Sequence, residues 1–95
     1  MKVEEKNTLV KLFDAYGGLL SEGQREIMTS FCYYDLTVTE IAQNLSISRQ
    51  AVKDAVDKAE RKLYEMEEKL LFVKKMETLT KEIDVLKDKL SKKGD

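Results

Sequence analysis

The stretch Thr37–Leu63, TVTEIAQNLSISRQAVKDAVDKAERKL, limits the fold of this chain more than any other segment. Thr37 and Glu40 have the spacing of a capping box, in which each side chain satisfies the other's free backbone N–H at a helix start. Ile41, Ala42 and Leu45 give the short helix that follows a small apolar face. Ser46-Ile47 reads as a tight turn, and Ser48 is a natural N-cap for a second helix. That helix carries Val52, Ala55, Val56 and Ala59 inward at steps of three and four. Two rods joined by so short a turn must cross closely, which suits the small Ala42 and Ala55 at the contact. The spacing therefore predicts a helix-turn-helix, locked by a dry seam of Ala42, Ile47, Val52 and Val56. Ser46 holds a position where glycine is usual, because the chain there needs a left-handed backbone. A side chain in that conformation costs about 1–2 kcal/mol.

In a helix-turn-helix used on nucleic acid, the second helix lies in the major groove with its first turn against the bases. Here that turn would present Ser48, Arg49, Gln50, Lys53 and Asp57. Arg suits guanine and Gln suits adenine, each by paired hydrogen bonds. Charge argues against a strong DNA binder. Residues 39–64 hold five bases and four acids, and the whole chain 17 and 18. Backbone phosphates supply most non-specific affinity, so DNA-binding domains are commonly much more basic. Asp54 and Asp57 would face phosphates, although Asp54–Lys58 and Asp57–Arg61 have the spacing of helix-stabilising pairs.

Around this motif the pattern is helical throughout. There is no Pro, and 37% of residues are charged, which suits amphipathic helices. Residues 5–16 place Leu9, Leu12, Phe13 and Tyr16 on one face, and Gly17-Gly18 are expected to end that helix in a left-handed residue. Ser21 and Gln24 form a second capping box, opening a helix with Ile27, Met28, Phe31 and Tyr34 inward. Cys32 reads as a small buried hydrophobe. After Leu63 no breaker occurs before Gly94, so a long helical tail is expected. In that tail Leu63, Met66, Leu70 and Val73 form one stripe. Phe72, Met76, Leu79, Ile83, Leu86 and Leu90 form another, with heptad steps. The change of phase requires overwinding or a bend near Leu70–Lys74. The second stripe is the candidate oligomer seam, and self-pairing into a homodimer is the expectation. Glu65–Lys69, Glu77–Lys81 and Asp88–Lys92 set acid four residues before base, in support of the helix. The fold class is thus all-α, with a helical domain over 1–64 and a coiled-coil extension over 65–95.

Function classes fall away by composition. With no His and one Cys, the common transition-metal sites and His-dependent acid–base chemistry are excluded. No phosphate-cradling glycine loop follows a strand, so no cofactor and no enzymatic activity are expected. The longest apolar run, Leu70–Val73, is far too short to span a membrane. MKVEEKNTLV lacks a signal-peptide core, and a lone Cys fits a reducing compartment, so a cytoplasmic location is expected.

Three segments, LFDAYGGLLSEGQREIM (Leu12–Met28), TEIAQNLSISRQAVKDAV (Thr39–Val56) and EMEEKLLF (Glu65–Phe72), together resemble the YlxM family of small bacterial proteins. The middle one is also similar to region 4 of bacterial sigma factors, which reads the upstream promoter element. Lys53 stands where the family pattern leads one to expect an aromatic residue. The resemblance implies a sigma-like helix-turn-helix bundle. It also implies a regulatory role in the signal recognition particle pathway, because family genes lie beside those of the particle's GTPase. The implied partners are that GTPase or its RNA, met by the helix-turn-helix face and by the acidic Glu65, Glu67 and Glu68. A dimeric DNA-binding transcription regulator is the alternative.

Overall fold

The computed structural model describes residues 3–93, which form five α-helices and one 3-10 turn with no strand among them. The helices are α1 (Val3–Tyr16), α2 (Glu22–Cys32), α3 (Val38–Leu45), α4 (Arg49–Leu70) and α5 (Phe72–Lys93). Both capping boxes close. Ser21 Oγ accepts from the Gln24 N–H at 3.2 Å and Gln24 Oε1 from the Ser21 N–H at 3.3 Å. Thr37 Oγ1 and Glu40 exchange the same two bonds at 3.1 and 3.0 Å. Ser48 accepts from the Ala51 N–H at 3.0 Å and opens α4.

The core lies where α1, α2 and α3 meet the first four turns of α4. Leu9, Met28, Ile41, Val52, Ala59 and Leu63 are almost wholly buried there. The buried residues are all hydrophobic and no buried side-chain nitrogen or oxygen among the described residues lacks a hydrogen bond, so this core is apolar and satisfied. Ser46 adopts the left-handed conformation expected of it, with φ 57°. The Ser46 and Ile47 N–H groups return to the Gln43 and Ala42 carbonyls at 3.4 and 3.1 Å. Those bonds offset the strain by satisfying the carbonyls at the end of α3.

Four expectations need correction. Gly17 and Gly18 do not stop α1 in a left-handed residue; they continue into the 3-10 turn Gly17–Leu19, and no described glycine has positive φ. Glycine is needed at 17 for room, since a Cβ there would stand 2.7 Å from Phe13 Cε1. Tyr34 does not point inward. Helix α2 ends at Cys32, and the chain leaves through a left-handed Asp35 bound by Lys6, which leaves Tyr34 70% exposed. Ile47 is not in the dry seam but 42% exposed, because the left-handed Ser46 swings the chain outward before α4 begins. The seam is carried instead by Ala42, Val52 and Val56, with Ala55 at its partly buried edge.

The fourth correction concerns the tail, which is two helices rather than one long one; of the two alternatives for its change of phase near Leu70–Lys74, the bend is what occurs. Helix α4 runs unbroken through residues 64–65, and the direction changes at Leu71, the third residue of positive φ, at 52°. A new helix start leaves N–H groups without helical partners. Here two side chains supply them. Phe72 N–H donates to Tyr16 Oη at 3.0 Å, while Val73 and Lys74 N–H donate to the two Glu67 carboxylate oxygens at 3.0 and 3.1 Å. Tyr16 Oη in turn donates to Glu67 Oε1 at 2.7 Å. Val73 packs against the core and Lys11 pairs with Glu77 at 3.4 Å, tying the start of α5 to α1. The rest of α5 extends away, giving the molecule a length of 61 Å.

Candidate nucleic-acid interface

The exposed first turn of α4 is the product of local rules. Ser48 caps it, Val52 anchors its underside, and the crossing with α3 fixes its angle. Ser48, Arg49, Gln50, Lys53 and Asp57 are all exposed on the side away from the core. Arg49, Gln50 and Lys53 join Val38 and Thr39 around a shallow depression where α4 meets the start of α3. Two cations therefore stand on this exposed turn, with Asp54 and Asp57 one turn further on.

Gln50 is engaged. Its amide Nε2 donates to Asp54 Oδ1 at 2.8 Å. To pair with an adenine edge it must give up that bond, leaving a carboxylate at the interface. The sequence pattern missed this partner; the i, i+4 spacing of Gln50 and Asp54 was the available signal. Neither Asp54–Lys58 nor Asp57–Arg61 closes as an ion pair among the described residues; Asp54 takes Gln50 instead. In the tail, Asp88–Lys92 closes at 3.5 Å, and Glu77 takes Lys11 in place of Lys81.

The acidic stretch divides. Glu65 and Glu68 are exposed, whereas Glu67 is spent inside the molecule on Tyr16, Val73 and Lys74. Partial burial alone would raise its carboxyl, but the Tyr16 hydroxyl and the two backbone N–H groups outweigh that and hold it below the ordinary range. Glu67 is thus a structural residue, and sequence gave no sign of it because Tyr16 lies 51 residues away. Cys32 is half-buried; burial pushes its thiol up to about 11, so it is protonated at neutral pH. The described residues contain no group of three or more His, Cys, Asp or Glu able to hold a metal ion. None of their helices is long and apolar enough to cross a membrane.

The six seam residues of α5 lie on one face and are between 47% and 69% exposed. Within one copy, nothing in the described structure covers that face beyond its first turn.

A family model described as helix-turn-helix protein, YlxM / p13 like, matches residues 3–95. A UPF0122 protein of Caldanaerobacter subterraneus is 44% identical over 81% of this chain, an alignment spanning 66% of its own length, just under two thirds. One from Fusobacterium nucleatum is 34% identical over 99% of this chain and 91% of its own. One from Halalkalibacterium halodurans is 39% identical over 87% of this chain and 76% of its own. With the helix-turn-helix in place and the match running from α1 through α5, the chain belongs to the UPF0122 family of YlxM/p13-like helix-turn-helix proteins.

Proposed function

We propose that the protein is a non-enzymatic regulatory partner in the signal recognition particle pathway. It docks on the particle's GTPase or its RNA through the first turn of α4. The observation that carries the choice of a mixed partner over naked DNA is the charge of that turn. Arg49 and Lys53 face outward beside Asp54 and Asp57, so few phosphates can be neutralised. A ribonucleoprotein offers both phosphates and basic side chains, which suits both signs, and Glu65 and Glu68 add acidic contacts more than four turns further along α4. The pathway itself rests on the resemblance to YlxM proteins. In this reading residues 1–64 carry the main recognition surface, extended by Glu65 and Glu68, and the rest of 65–95 supplies the pairing arm, with the bend at Leu71.

The test is a titration of the full-length protein against the purified GTPase, its RNA and their complex. Binding to at least one, weakened about tenfold when Arg49→Ala and Lys53→Ala are combined, supports the reading. No binding to any of the three overturns it. A DNA-binding dimeric regulator is favoured by one observation: Ser48, Arg49 and Gln50 stand clear of the protein body, as base readout needs. Mobility shifts on genomic fragments test it, and binding indifferent to Arg49→Ala with Gln50→Ala removes base readout.

A further inference from the structure

We infer that α5 pairs in parallel and in register with α5 of a second copy, so that both helix-turn-helix units lie at the same end of the assembly. The inference deepens the pairing named above and does not depend on what α4 contacts.

The seam assigns Met76, Ile83 and Leu90 to a positions and Phe72, Leu79 and Leu86 to d positions of a heptad. All six are between 47% and 69% exposed on a 22-residue helix that leaves the domain after its second turn. A helix showing such a stripe to water is marginal by itself. Phe72 sets its ring edge-on to that of Tyr16 in α1, with centroids 6.4 Å apart, and still leaves 51% of its surface exposed. The other ties depart from outside the seam, Val73 entering the core from e and Glu77 reaching Lys11 from b, so the seam stays open from Met76 onward.

Charge chooses the occupant and its direction. In a parallel pair each g residue faces the e residue five further along the partner. Glu82 then faces Lys87 of the second copy, twice by symmetry, and all six seam residues meet their own equivalents. Antiparallel pairing brings g against g. The antiparallel register that covers all six residues sets Glu82 against Glu82 and Lys75 against Lys89 of the second copy. Sliding by one heptad restores opposite charges but strands Phe72 and Met76 in one direction, or Leu86 and Leu90 in the other. The β-branched Ile83 at a, between Leu79 and Leu86 at d, also fits two parallel strands.

The experiment uses the full chain. Light scattering is expected to give twice the 11.0 kDa of one copy. In a Cys32→Ala background, Leu79→Cys is expected to form a homodisulfide under mild oxidation. Glu82→Lys is expected to weaken pairing about tenfold, and adding Lys87→Glu to restore it. Circular dichroism confirms that each variant is folded. A monomer at tens of micromolar overturns pairing outright. A dimer whose disulfide forms only when Leu79→Cys is mixed with Ile83→Cys, or with Leu90→Cys in the register slid by one heptad, overturns the parallel direction. Failure of Lys87→Glu to rescue Glu82→Lys overturns the register.

Discussion

Val52 lies where α3 and α4 cross, with no exposed surface, and trimming it to alanine tests the crossing directly. Val52→Ala removes two carbons from a dry site. At about 0.8 kcal/mol for each buried methylene, the lost transfer energy is about 1.6 kcal/mol. An unfilled void on the order of 50 Å³ adds about 1 kcal/mol more at about 24 cal/mol per Å³. The expected loss is therefore about 2–3 kcal/mol. A chain of this size has a total stability of about 5–14 kcal/mol. Each kcal/mol moves the melting temperature of such a domain by about 4–8 °C, so the midpoint is expected to fall by about 10–20 °C. The assay is thermal melting followed by circular dichroism, with exposed Lys53→Ala as the control, expected within about 0.5 kcal/mol of the parent. Val52→Asp carries the same logic further, since the new carboxylate would be buried without a partner. If Val52→Ala melts within about 2 °C of the parent, the two helices do not lock over this residue. The geometry of the α4 face then has no foundation.

Gly17→Ala is expected to destabilise by about 1–3 kcal/mol, read by urea unfolding, because its methyl would meet the Phe13 ring at 2.7–2.8 Å in a packed core. Ser46→Gly is expected to raise the melting temperature by a few degrees. It relieves about 1–2 kcal/mol of left-handed strain against up to about 1 kcal/mol of added unfolded-chain entropy; a lower midpoint refutes the reading. Because the Glu67 carboxyl lies below its ordinary value in the folded chain, its stabilising effect is full above about pH 4.3, the unfolded value. It is lost as pH falls through the folded value. Hydrogen-exchange protection of the Val73 and Lys74 amides is expected to drop in that acid range, and at neutral pH by about tenfold in Glu67→Gln. Unchanged protection in both cases refutes the carboxylate's part in holding the bend.

The sequence by itself determined whatever is settled within one or two helical turns. The Thr37–Glu40 and Ser21–Gln24 caps, the left-handed Ser46 and the heptad stripe of α5 all depend on neighbours three to seven residues apart. Spacing records such neighbours directly. The change of phase near Leu70–Lys74 was equally legible as a demand for a bend or overwinding. Which of the two occurs, and what holds it, was decided by the tertiary structure. The bend is fixed by Tyr16, 56 residues from the Phe72 N–H that it accepts, and Glu67 can cap α5 only because α1 lies across the break. Gly17 answers to the Phe13 ring, and Ile47 and Tyr34 are left exposed by the path of the chain through two left-handed residues, Ser46 and Asp35. An apolar pattern states that a residue can be buried; only the arrangement of the other helices provides the surface that buries it.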